Sequence, residues 1–222
     1  MFDDPPPNDS AVMRWDGAIL AQVAEINEQL LDLLRAAAAR PAPARRLVRE
    51  LSRQWCDLTP AAGRRLAACP YLLIDAGFGE AGRWPLVAGG VQDAPAGHGY
   101  FGSAEGVALL RRALLFAWYL ARANPLSARI ALGMPPACLQ LVATTRLRDL
   151  EALAERCPAW IRPRWEGQPH VWAQFIRAAT QEDPGCLRQL QWRGMALLAA
   201  GLCGAGAPAA GSARVSRTVV PV

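Results

Sequence analysis

An all-α fold is predicted by two observations. Apolar residues recur at three- and four-residue steps over most of the chain, and prolines or glycines stop each such run abruptly. A third observation, a glycine- and proline-rich stretch near the middle, divides the helices into two small units. The second unit reads as a multi-helix orthogonal bundle with helix-turn-helix-like spacing. The expected organisation is a disordered leader (1–13), an N-terminal helical unit (14–78), a loop or linker (79–102), a C-terminal helical domain (103–203) and a disordered tail (204–222).

The first helix lies in "DGAILAQVAEINEQLLDLLRAAAAR", where Ile19, Leu20, Val23, Ile26, Leu30, Leu33 and Leu34 recur at three- and four-residue steps as one apolar stripe, and Pro41 and Pro43 close it. In "ARRLVRELSRQWCDL" a second helix buries Leu47, Leu51 and Trp55, while Arg45, Arg46, Arg49 and Arg53 fall on the other face. Thr59 caps a short third helix, with Pro60 at the first position, where a missing N–H costs nothing. The run "ACPYLLIDAGF" fits a helical turn or a short buried strand, and helix is the preferred reading. From Gly77 to Gly102 the glycines and prolines are too many for a regular element. Trp84, His98 and Tyr100 there either line a site or, more simply, pack a tether down.

Ser103 is expected to cap the next helix, whose Val107, Leu110, Leu114, Leu115, Ala117, Trp118 and Leu120 leave only a narrow polar face around Arg111, Arg112 and Arg122. Such a helix must be covered on several sides, by its own domain or by another chain. Leu110, Leu114 and Trp118 are therefore the candidate partner interface. Short helices follow to Pro158, then the turn "RPRWEGQP", then "HVWAQFIRAATQ" and "GCLRQLQWRGMALLAAGL".

Composition narrows the function classes. The 222 residues are 52% hydrophobic, a figure inflated by alanine, so the useful apolar mass lies in the leucines and eight tryptophans. The net charge of +5 comes entirely from arginine, without one lysine, which fits a high-GC codon bias and says little about partners. "MFDDPPPNDS" is acidic where a signal peptide is basic, and the apolar runs are too short or interrupted to span a bilayer, so a cytoplasmic protein without membrane contact is expected. Six cysteines without CxxC spacing, and two histidines, read as reduced buried thiols without a metal site. No cofactor is expected. Neither histidine sits in a nucleophile motif, "GFGEAG" lacks a following helix and a lysine, and Asp75 with Glu80 is the one close carboxylate pair in a plausible cleft, so the chain reads as no enzyme.

The stretch Arg122 to Pro158 carries most of the functional weight. In a DNA-binding helix-turn-helix a small residue, a turn glycine and a later apolar residue let two helices cross closely. Ala128, Gly133 and Leu139 have that spacing, and Pro135 starts the second helix. A recognition helix also needs donors aimed at base edges, and in "PPACLQLVA" only Gln140 qualifies. The next helix has Arg146, Arg148 and Arg156, which Asp149, Glu151 and Glu155 nearly cancel. The candidate nucleic-acid contacts are therefore Arg45, Arg46, Arg49, Arg53, Gln140, Arg146, Arg148 and Arg164.

The two halves share a faint echo, "LAACPYLLI" from Leu66 and "LAERCPAWI" from Leu153. The match is small and offset by one residue, which leaves duplication open. Cys-Pro pairs also ligate haem in some regulators, but a proline ending a helix explains both pairs without haem.

From about Leu114 to Leu202 the chain resembles the FlhD subunit of the bacterial flagellar master regulator. The resemblance rests on the "ARIALGM" turn (Ala128 to Met134), the "LAE" helix end (Leu153 to Glu155), the aromatic at the following turn (Trp165) and "GMALL" in the last helix (Gly194 to Leu198). Ala131 stands where the family usually has arginine, the threonine before the "LAE" helix is displaced by one position, and the first 100 residues have no counterpart in that family. The resemblance implies a helical dimer, or a hetero-oligomer with a regulatory subunit, working in transcription, with duplex DNA contact weak and partner-dependent. The alternative expectation is a structural or chaperone-like interaction protein of a motility or secretion system without a DNA role.

Overall fold

The computed structural model describes residues 17–41, 44–80, 82, 84 and 99–204. The leader, His98, Pro43, most of the 79–102 segment and the tail beyond Gly204 lie outside these residues.

Helix α1 (Gly17–Ala38) buries Ile19, Val23, Ile26, Leu30 and Leu34 of the predicted stripe, while Leu20 and Leu33 at its edges are half-buried. It also buries Asn27 completely. The Asn27 amide donates to the carbonyls of Ala67 (3.1 Å) and Tyr71 (3.0 Å), and its Oδ1 accepts from the Leu73 N–H (2.8 Å). A polar side chain survives in the core because every one of these groups is paired.

The predicted second helix is two, α2 (Arg46–Glu50) and α3 (Ser52–Asp57), separated at Leu51, whose backbone leaves helical geometry (φ −111°, ψ 18°). The break sets Ser52 Oγ against the Ala38 carbonyl at the end of α1 (3.4 Å). Helix α4 (Pro60–Ala67) starts as expected, with Thr59 Oγ1 accepting from the Ala62 N–H (3.2 Å) and Pro60 in the first turn.

The run after Cys69 corrects the helical reading. Pro70 lacks the N–H that would continue a helix. The chain then extends into strand β1 (Ile74–Asp75), which pairs antiparallel with β2 (Arg162–Pro163) in the register Ile74 to Pro163 and Asp75 to Arg162.

Helix α5 (Ser103–Ala123) is capped by Gly102 rather than Ser103, which is the first helical residue. It is the central helix, enclosed by α1, α6 (Pro125–Leu132), α7 (Pro136–Thr144), α8 (Leu147–Arg156) and a 3-10 turn (Pro158–Trp160). Apart from exposed Tyr119, its nearly all-round apolar surface is thus covered within the chain. Helix α9 (Pro169–Thr180) crosses back to pack on α4 and α2 and places Trp172 against Trp55 (ring centroids 5.4 Å). Helix α10 (Pro184–Gly204) lies on α9 and α6. Tyr71 Oη rests against Gly194 of α10, where a Cβ would overlap it.

The fold is all-α apart from the two-residue strand pair. Apolar residues from before and after the 79–102 segment form one core, running from Ile19 to Leu190. The two halves expected as separate units therefore share a single interior, because α1 packs on α5 and α9 packs on α4 and α2. Among the described residues no single helix is long and apolar enough to cross a membrane.

Candidate functional site

Helices α6 and α7 flank the turn at Gly133. Asn124 caps α6 by accepting from the Ser127 N–H (3.0 Å), and Pro125 occupies the first turn. Gly133 ends α6 in the left-handed region (φ 64°), a conformation that residues with a Cβ adopt at a cost. After a three-residue turn, Gly133 to Pro135, α7 leaves at 114° to α6. Helix-turn-helix pairs cross at about 90–120°. Ala128 is fully buried and Leu139 nearly so, which fulfils the requirement for a small and an apolar residue at the crossing.

The outward face of α7 presents Ala137, Gln140, Leu141 and Thr144. The Thr144 hydroxyl donates back to the Gln140 carbonyl (2.9 Å), so Gln140 is the single side chain there with a donor to offer a base edge. No cation lies on that face. Around it, Leu126 and Leu147 are exposed by 52% and 44%, and Arg146 and Arg148 are also exposed, Arg148 within 3.7 Å of Asp149.

The remaining candidate contacts do not converge. Arg46 pairs with Glu50 (2.6 Å) and Arg53 approaches Asp57 (3.8 Å), each pair spanning one turn. Arg49 is exposed. Arg45 points elsewhere, donating to the Gly99 carbonyl and lying over the Tyr100 ring (5.3 Å). It thereby fastens the start of the α5 segment to α2, a role that only the folded chain reveals.

Arg164 is a correction. Its Nε donates to the Leu72 carbonyl (2.7 Å) and its Nη2 to the Leu132 carbonyl (2.5 Å), while its own backbone bonds to Leu73 (N–H, 2.8 Å) and the Trp172 indole (C=O, 2.7 Å). Burial pulls its pKa down, and Asp75 opposes that shift. The guanidinium is an internal brace between the segment leading into β1 and the end of α6, and it is not presented to a nucleic acid. Its neighbour Arg162 takes the surface role, bridging Glu80 (3.3 Å), Glu166 (3.8 Å) and Asp75 (4.0 Å). The carboxylate pair noted in the sequence is thus held by an arginine, and Asp75 also accepts from the Gly77 and Phe78 N–H groups (3.0 and 3.2 Å).

The proposed partner interface is also corrected. Leu110 and Leu114 are completely buried, because α5 is the central helix. Trp118 is half-buried, donates its indole N–H to the Thr145 carbonyl (2.9 Å) and carries Arg122 over its face (4.6 Å). The exposed large apolar residues are instead Tyr119, Leu126, Leu141 and Leu147 on α5 to α8, and Trp192 and Leu197 on α10, with Trp192 exposed by 68%. Sequence periodicity could have flagged Leu141 and Leu147, which stand off the buried stripes of their helices. Trp84 is buried against Trp160 (6.5 Å), and Tyr100 packs on Phe101 (5.0 Å), so the tether reading suits both.

Cys69, Cys138 and Cys157 are buried, and Cys56 and Cys186 are exposed, which corrects the all-buried expectation for those two. Burial pushes the Cys69 thiol up to about 12. Among the described residues no group of three metal-ligating side chains comes together. No protein-family model, curated protein or solved structure matches the chain.

Proposed function

We infer that the chain is a regulatory adaptor that works through helix-mediated association with a partner protein, in transcription. The observation that carries this reading is the helix pair α6–α7, whose 114° bend falls in the range of helix-turn-helix modules while α7 has an uncharged outward face of Ala137, Gln140, Leu141 and Thr144. A face of that chemistry loses little on meeting another apolar surface, whereas against a base edge it supplies almost no donors. The order of short motifs shared with the FlhD family supports the transcriptional setting, and in that setting DNA contact is weak and depends on the partner. Exposed Trp192 and Leu197 favour the second reading, an interaction protein of a motility or secretion system without a DNA role.

The test places a photo-crosslinking amino acid at position 141 in cells and, separately, titrates labelled duplex DNA at low and physiological salt. Crosslinking to a transcription regulator, together with negligible binding of DNA by the chain alone, is the expected outcome. Tight, steeply salt-dependent DNA binding by the isolated chain would overturn the adaptor reading. Crosslinks confined to motility or secretion components would favour the second.

A further inference from the structure

We propose that this chain is a single-chain counterpart of a two-subunit assembly, in which two copies of one helical unit are joined in tandem and pack about a local two-fold axis between β1 and β2. The first support is a constant spacing between buried positions. At one offset Val23 falls on Leu110, Ile26 on Ala113, Leu30 on Ala117 and Leu34 on Ala121, all inside the core. The same offset takes Leu47 to Met134, Leu51 to Cys138, Trp55 to Val142 and Leu66 to Leu153, again all buried. One extra residue precedes the second Cys-Pro pair. Beyond it Cys69 falls on Cys157, Leu73 on Ile161 and Trp84 on Trp172, every one of them buried.

The packing repeats with the positions. α1 lies on α3 and α4 as α5 lies on α7 and α8. Under the equivalence Ile74 corresponds to Arg162 and Asp75 to Pro163, yet the observed pairs are Ile74 with Pro163 and Asp75 with Arg162. Each residue thus faces the counterpart of its neighbour, the relation two identical antiparallel strands adopt across a two-fold axis. The equivalent helices α1 and α5 also meet each other, and Glu25 bonds Arg112 there (2.9 Å). The equivalent tryptophans each cross to the other half, Trp84 meeting Trp160 edge-on and Trp172 meeting Trp55 at a tilt. The strand pairing and the α1–α5 contact are of the isologous kind by which separate subunits dimerise, and here the chain makes them with itself.

The outer surface does not repeat. Exposed Tyr119, Leu126, Leu141 and Leu147 fall on Asp32, Ala39, Gln54 and Pro60 in the first half. Resting on the adaptor reading above, the partner face then belongs to the second half alone.

Light scattering on the intact chain should give the mass of one chain, 23.9 kDa, at micromolar concentration. A protease site inserted within 85–98 of the full chain should, after cutting, leave two fragments that co-elute one to one with the helicity of the uncut protein and lose it together on dilution. A mass of two chains for the intact protein, or cut fragments that separate with helicity retained, would overturn the proposal. Should the insertion prevent folding, paired cysteines in the intact chain serve instead. Asp75→Cys with Arg162→Cys should form a disulfide and Ile74→Cys with Arg162→Cys should not, the reverse being contrary to the two-fold register. Loss of crosslinking at position 141 would sink the adaptor reading and leave these masses and disulfides unchanged.

Discussion

Replacing Asn27 by alanine removes a side chain that satisfies three buried backbone groups at once, the carbonyls of Ala67 and Tyr71 and the N–H of Leu73. Each such group left without a partner costs about 1–3 kcal/mol. Water entering the small space left behind recovers part of that cost, so a net loss of about 3–5 kcal/mol is expected. Against a typical domain stability of about 5–15 kcal/mol this is a large fraction. Guanidinium unfolding followed by both tryptophan fluorescence and far-ultraviolet circular dichroism measures it, with the slope of the transition unchanged. Asn27→Asp should be worse near neutral pH, since it sets a carboxylate against two carbonyl oxygens, and should recover partly in mild acid, where protonation restores a donor. A loss below about 1 kcal/mol for Asn27→Ala would refute the claim that these bonds hold the segment leading into β1.

Two further outcomes are expected. Gly194→Ala should destabilise the fold by about 1–3 kcal/mol, because the new methyl group overlaps Tyr71 Oη, and adding Tyr71→Phe should return part of the loss in a thermal melt. Stability should hold up to about pH 9 and then fall as pH rises toward 12. The buried Cys69 thiol keeps its proton in the folded chain up to about 12, whereas the unfolded thiol loses it near 9.0. Tyr71 and Cys138 are raised by burial and act in the same direction, and the chain has no lysine amines to obscure the effect. Denaturant midpoints that stay flat across this window would contradict the assignment.

What the sequence makes legible here is local. The stripe of α1, the Thr59 cap on α4 and the Ala128, Gly133 and Leu139 spacing each depend on residues within a few positions of one another, so periodicity and capping chemistry suffice to find them. The errors arise where the deciding partner is distant. Arg164 looks like a surface cation until the carbonyls of Leu72 and Leu132 are brought to it. Leu110 and Leu114 announce that α5 must be covered, but which surface covers it is set by helices on both sides of the 79–102 segment. Strand β1 is two residues long, and its identity comes from pairing with β2 rather than from its own alternation. The echo around the Cys-Pro pairs is faint because the halves agree in which positions are buried far more than in which residues fill them.

The mapping of Gln54 onto Leu141, and of Asp32 onto Tyr119, has a consequence for how such a protein changes over time. In a dimer of identical subunits every mutation is written twice, so a greasy residue that improves one contact also appears on the opposite side, where it invites unwanted association. Once both copies are carried on one chain, each position is free to drift alone. One side can stay polar and keep the molecule dispersed, while the other acquires the apolar anchors a partner needs.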